Sequence, residues 1–287
     1  MAVESVAPPA TPRATDARSI LRKVGLFTYL RGWKVWSSYR AQVALTIVSW
    51  LVPVFLYFVL AGFLDSSGAV LPSLNGTPYI SFFVIGLAFQ GFVSNLVGLL
   101  AQRIRNEQMM GTLELIFLSP TTPGGILVYS SIFGVVLNII AAVVILGVGV
   151  GLLGVHLAVS WGPAILATVL LAVSSTGLSL VAAAFILWTK QGNPVALFFA
   201  TFTQFFAGVL FPVAALPSGI QWLANTVPLT FGLDALRPAL LNGASFASVA
   251  PALGWMAVYA AITIPLGLWL FGRALRLTKI EGTVATY

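Results

Sequence analysis

The residues of this chain that could do chemistry are few, and most of the promising ones lie in one stretch. Residues 102–123 read QRIRNEQMMGTLELIFLSPTTP. Glu107 and Glu114 lie seven positions apart, two helical turns, so they share a helix face with Gly111 between them. Arg103 stands four residues before Glu107, the spacing of a helical ion pair. Met109, Leu113, Ile116 and Phe117 recur at i, i+4, i+7 and i+8 on another face, and Ser119-Pro120 stops the helix. A short amphipathic helix presenting acids can sit in a groove on a soluble partner. A solvated helix whose acids do nothing fits as well, and on pattern alone it is the simpler reading. Elsewhere the chemistry is sparse. There is no cysteine, which excludes disulfides, thiol catalysis and thiolate metal sites. One histidine, His156, and seven acidic residues do not make a metal cluster. A membrane enzyme would have only Asp65, Glu107, Glu114, His156 and Asp234 to work with, and the topology below puts these on opposite sides.

The elements that hold that stretch are set by composition. Of 287 residues, 59% are hydrophobic and 7% charged. A soluble domain carries about 25% charged residues, so lipid must be the solvent for most of this chain. Charge-free runs long enough to cross about 30 Å of hydrocarbon occur at about 41–64, 79–101, 126–153, 161–187, 194–211 and 251–271. The fifth opens on Pro194, a helix-starting position for proline. Thirteen of the fourteen Lys and Arg fall on one side of this arrangement, and only Arg237 on the other. The positive-inside bias puts that side, and both termini, in the cytoplasm. An odd number of spans would split the basic clusters, so six is favoured over five or seven. The same bias accounts for the net charge of +7 without nucleic acid as a partner. The predicted fold is therefore an all-α membrane protein with six transmembrane helices, placed in the cytoplasmic membrane.

Three segments are neither spans nor simple loops. Residues 1–19, rich in Ala and Pro and without an apolar run, read as a disordered cytoplasmic tail and not as a signal peptide. Residues 20–40 carry Leu26, Tyr29, Leu30, Trp33 and Trp36 at helical spacing among basic residues, which suits an interfacial helix in the headgroup plane. It serves either to dock a cytoplasmic partner or simply to anchor the first span. Residues 212–250 are apolar yet broken by Pro212, Pro217, Pro228 and Pro238. No helix runs through that many prolines, and irregular backbone at membrane depth must be buried or line a cavity. Re-entrant half-helices are expected here rather than a plain external loop. The domain reading is a tail (1–19), an interfacial helix (20–40) and a transmembrane domain (41–287).

Polar side chains inside the spans, Gln90, Asn95, Asn138 and Gln204 foremost, can line a pathway or merely bond helix to helix. No acid or base sits mid-span, which argues against a proton-driven transporter. Asp234 and Arg237, three apart, read as a local ion pair, and Gly147 and Gly151 as a site of close helix packing. A stand-alone secondary transporter or channel is the rival reading. It is weakened by those missing charges and by the absence of an internal repeat.

Two motifs carry a resemblance. Glu107-Gln-Met-Met-Gly-Thr-Leu-Glu114-Leu-Ile-Phe-Leu-Ser-Pro120 resembles the cytoplasmic segment of ABC-2 type exporter permeases. The run from Gly208-Val-Leu-Phe-Pro212 through Leu216-Pro217, Ile220-Gln-Trp222 and Pro228-Leu-Thr230 to Arg237 and Asn242-Gly243 is similar to that family's late signature. The resemblance implies a dimerising permease, with an identical or sister copy, working with two cytoplasmic ATPase subunits. Residues 102–118 would be the coupling helix, with Arg103, Glu107, Gly111, Thr112 and Glu114 meeting the ATPase. Residues 212–237 would be a re-entrant gate containing Pro212, Leu216, Pro217 and Pro228, with Phe211 just before it. No Gly-x-x-x-x-Gly-Lys-Ser/Thr occurs in the chain, so ATP and Mg would be bound by the partner and this chain holds no cofactor. The cargo implied by charge-free spans is amphipathic or lipophilic: a drug-like natural product, a lipid or a lipid-linked glycan.

Overall fold

The computed structural model describes residues 25–66, 77–111, 123–189 and 194–280. The expected tail (1–19) and Thr112 and Glu114 lie outside them. The elements are α1 (Phe27–Lys34, wound in the wider π form), α2 (Val35–Ser38), α3 (Arg40–Ser66), α4 (Tyr79–Met109), α5 (Pro123–Leu152), α6 (Trp161–Thr189), α7 (Pro194–Phe206), α8 (Gln221–Ala224), α9 (Pro228–Leu241) and α10 (Phe246–Ile280). Among the described residues all regular structure is helical. Five helices are long and apolar enough to cross a membrane: α3, α4, α5 from Ser131, α6, and α10 to Leu277.

Local chemistry sets the boundaries. Pro78 caps α4 in an extended conformation, and Pro194 and Pro228 stand at the first positions of α7 and α9, where a missing N–H costs nothing. Gly111 ends α4 at φ 66, a left-handed conformation that glycine adopts without penalty. Tyr39 (φ −99, ψ 77) interrupts the helix between α2 and α3, so the N-terminal segment leaves the first span at a break. That segment packs on α5. Gly32 fits against the Phe133 ring, and Trp36 meets the same ring edge-on with centroids 6.4 Å apart. Leu26, Tyr29, Leu30 and Trp33 remain exposed, as an interfacial helix requires.

Each long helix can be placed by what it touches. Arg40, Arg103, Arg105, Arg273 and Arg276 all lie toward one end of the bundle, called here the basic end; Tyr79, Trp161 and Phe246 mark the far end. Helix α5 runs antiparallel to α4, with Gly134 beside Leu99 and Gly149 beside Val84. Helices α6 and α10 run parallel. Gly162 abuts Phe246, Gly177 abuts Thr263 and Gly267, and the pairing ends in a cluster of Leu187, Phe271 and Ala274.

Because α6 and α10 both start at the far end, the chain must return there between them. The predicted fifth span contributes only α7, 13 residues, about 20 Å of helix. Val195 packs on the basic-end cluster, and the bent stretch after Phe206 brings the Gly208 carbonyl level with that of Phe82, near the far end. Residues 194–208 thus climb alongside α4.

Helix α9 runs antiparallel to the first half of α6. Gly232 lies against Leu171, and the Ala239 carbonyl accepts a hydrogen bond from the Ser160 N–H at 2.8 Å. Its start is therefore about ten residues down α6 from Trp161, roughly 15 Å. Leu229, Leu233 and Leu236 of α9 are fully buried with Ile85 and Val93 of α4, Leu171 of α6 and Met256 of α10. The proline-rich stretch thus supplies the centre of the core. By contrast α3 buries only Val54 and Ala61 of its 27 residues. Gly147 and Gly151, read as a packing pair, face open space within this chain; Gly149 between them makes the helix contact.

Candidate functional site

Two clefts and one exposed tip collect the residues singled out above. The first cleft, about 750 Å³, lies between α3, α4 and α5. It brings together Gln90, Asn95 and Asn138, with Ser94 and Gln102 beside them and Thr46 and Ser49 on the α3 wall. Among the described residues, none of its lining side chains is ionisable. The Ser94 hydroxyl oxygen is buried without a hydrogen-bond partner. Pro53, also in the lining, has no N–H to give the Ser49 carbonyl four residues back. That carbonyl is left as an acceptor on the wall. The arrangement offers amides, hydroxyls and a backbone carbonyl to a ligand, and no charge.

Gln204 does not join this cleft. Its amide nitrogen donates to the Tyr57 hydroxyl at 3.3 Å, tying α7 to α3. Three other span hydroxyls are likewise occupied: Ser174 and Ser175 donate to the Leu171 carbonyl at 3.0 and 2.7 Å, and Thr203 to that of Phe199 at 2.8 Å. For these residues helix bonding is the whole account.

The second cleft, about 730 Å³, opens at the far end, between the start of α4, the turn after α5, the bent stretch after α7, and α9. His156, Pro212, Asp234 and Arg237 line it. The charges of Asp234 and Arg237 act on each other as expected, and the guanidinium also reaches further. A terminal guanidinium nitrogen of Arg237 donates to the Gly208 carbonyl at 2.9 Å and to the Phe82 carbonyl at 3.3 Å, and the guanidinium carbon lies 3.5 Å from the centre of the Phe82 ring. Gly86 has no side chain to obstruct this, since a Cβ there would stand 2.9 Å from the same nitrogen. Arg237 therefore pins α9 to α4 and to the break after α7, while its Nε is buried without a partner.

The proposed gate residues divide. Pro212 lines this cleft and Phe211 beside it is half-buried; Pro228 is buried at the head of α9. Leu216 is half-buried, its carbonyl holding the Gln221 amide at 2.8 Å, and Pro217 is exposed. Sequence reasoning missed the Arg237 pin. A basic residue on the far side, alone among fourteen, was the available signal.

The tip is the end of α4. Residues 102–109 continue the span as one helix, which stops at Met109. Arg103 is half-exposed and Gly111 exposed. Glu107, expected to present its carboxylate to a partner, is 4% exposed within this chain, buried like its neighbours Ile104 and Gln108. What the tip exposes is Met109 and Met110, at 74% and 61%, two flexible apolar side chains suited to an adaptable contact.

The chain has no native cysteine, so single substitutions report topology cleanly. His156→Cys is expected to react with a membrane-impermeant maleimide added outside intact cells, and Met109→Cys only after the cells are opened. The reverse pattern would overturn the orientation drawn from the basic residues.

Comparison with curated proteins finds no match to this chain. Comparison with family profiles finds the ABC-2 type transporter over residues 26–241, a range that takes in the interfacial helix, the charge-free cleft and the Arg237 pin. The chain is a multi-pass membrane protein that belongs to the ABC-2 type transporter family, a transport subunit built on five apolar helices of membrane length.

Proposed function

We propose that this chain is the permease of an ATP-driven exporter in the cytoplasmic membrane. The observation that carries the reading is the charge-free polar cleft between α3, α4 and α5. A wall of amides and hydroxyls at membrane depth gives a cargo hydrogen bonds without asking it to shed a counter-ion, which favours an amphipathic or lipophilic molecule. Gln90, Asn95 and Asn138 are its contacts. The basic end is cytoplasmic, both termini with it, and residues 194–208 complete a sixth crossing. Residues 212–237 form the re-entrant gate, with α9 as the returning half-helix and Pro212 at the mouth of the far cleft.

The ATPase subunits dock at the cytoplasmic tip and supply the ATP and Mg chemistry. Arg103, Gly111, Met109 and Met110 belong to the contact, and Thr112 and Glu114 continue it. Glu107 roots this lever in the bundle instead of touching the ATPase. A push on the tip then moves α4, and with it one wall of the cargo cleft. The bare faces of α3 are where a second permease, identical or sister, completes the assembly, because only two residues of this helix are covered within one chain.

The test is reconstitution of the chain with the ATPase that co-purifies with it. Asn138→Leu, which keeps the branching at Cγ and removes the amide, is expected to lower transport about tenfold, the loss of one well-made hydrogen bond to cargo (about 1.4 kcal/mol). ATPase association should stay unchanged. Unaltered transport would discard the cleft as the pathway. Failure of any ATPase to co-purify with the wild-type chain would discard the exporter reading itself.

A further inference from the structure

The last turns of α10 carry a surface that neither the cargo cleft nor the docking tip uses. Phe271 and Ala274 are buried on the basic-end cluster, with Leu270 and Leu275 packed beside them. The opposite face therefore points away from the bundle, and there Leu268, Trp269, Gly272, Arg273, Arg276 and Leu277 enclose a groove of about 460 Å³. Trp269, Arg273 and Arg276 are exposed. Gly272 supplies the notch, because a Cβ at that position would meet nothing within 4 Å. The Arg273 guanidinium sits 5.7 Å from the Trp269 ring centre, a cation–π distance that holds the charge beside the aromatic ring.

Depth fixes what covers this groove. From Phe246 to Gly272 no residue of α10 is charged. That is about 40 Å of helix, more than the roughly 30 Å of hydrocarbon. Arg273 and Arg276 therefore stand in the headgroup layer, with Trp269 at the interface where such rings collect. Leu268 and Leu277 give the groove apolar walls beside two guanidiniums, and no acid is among its described lining residues.

We infer that the groove formed by Trp269, Gly272, Arg273 and Arg276 is a binding site for one anionic phospholipid of the leaflet at the basic end. The two guanidiniums hold the phosphate, and an acyl chain lies along Leu268. Charge complementarity and depth together select a lipid. A free anion would gain nothing from the apolar wall, and a zwitterionic lipid gains less from two arginines. The site is independent of the proposed cargo pathway; only the name of the leaflet rests on that reading.

Native mass spectrometry of the full chain, released from micelles containing phosphatidylglycerol and phosphatidylcholine of equal acyl length, tests it. The wild type is expected to retain phosphatidylglycerol in preference. Each arginine near an anionic surface is worth about fivefold, so R273Q/R276Q should lose about 25-fold of that preference. Arg40→Gln, at the same end but outside the groove, should lose little. If the double variant does not purify as a folded chain, W269L and R273Q singly are each expected to lose several-fold. Equal retention of the two lipids by the wild type would overturn the site, and so would a loss in Arg40→Gln as large as in the groove variants.

Discussion

Replacing Arg237 by alanine is expected to abolish transport and to lower the thermal midpoint of the purified chain by about 10 °C. The reasoning is local. One guanidinium nitrogen serves two backbone carbonyls, at Gly208 and Phe82, and the group lies on the Phe82 ring. Hydrogen bonds from a charged donor contribute about 1.5–3 kcal/mol each, and a desolvated cation–π contact adds about 1–2. The alanine variant also leaves the Gly208 carbonyl, at a helix break, without this donor. A net loss of about 3 kcal/mol or more follows, and for a chain of this size each kcal/mol is worth about 2–4 °C. Arg237→Lys keeps the charge but offers a single ammonium and no planar face, so it should fall between the two. A wild-type midpoint in the alanine variant, measured by thermal unfolding in detergent, would show that the pin holds nothing.

The second large effect concerns α6 and α10. A side chain at Gly267 would bring its Cβ to 2.6 Å from the Gly177 carbonyl oxygen, and one at Gly177 would come within 2.7 Å of the Thr263 carbonyl carbon. Both obstacles are backbone, so neither can rotate away. Overpacking into a filled contact costs about 1–3 kcal/mol even when side chains can adjust, and here two whole helices must separate. Gly177→Leu and Gly267→Leu are each expected to yield no monodisperse protein. Gly254→Leu, at an open position on the same helix, should purify normally. Normal elution of the Gly177 and Gly267 variants from a size-exclusion column would mean that the two helices do not approach as closely as described.

Much of this architecture was legible in the chain. The absence of charge over 20 or more residues marks a span whatever the tertiary contacts, so the starts of α4 at Tyr79, α6 at Trp161 and α7 at Pro194 coincide with the starts of the charge-free runs at 79, 161 and 194. What sequence could not give is which face of a helix is occupied. Glu107 has the spacing of a surface residue, yet it is buried within the chain, because what covers a helix face is decided by its neighbours and not by its own sequence. The same holds for Gln204, which looks like Gln90 in sequence but is consumed by Tyr57, 147 positions away. Arg237 was read only in part for a related reason. A helix i, i+3 rule names the local charge partner Asp234, but not the carbonyls 29 and 155 residues away that the guanidinium also reaches. Helix α9 was legible in part. Pro228 and Pro238 marked a short half-helix, but not that its leucines would fill the centre of the core.

The parallel seating of α10 on α6 bears on how the protein is made. A ribosome delivers helices in order, and neighbours in sequence can pair as hairpins while synthesis continues. Helix α6 cannot be finished that way, since the backbone that fits against Gly177 is emitted more than eighty residues later. Until Gly267 leaves the exit tunnel, the nascent chain must wait in the translocon's vicinity with a glycine-floored furrow facing lipid. Completion of this part of the fold thus waits on the synthesis of α10, and a chain cut short before α10 would carry an open furrow that membrane proteases can recognise.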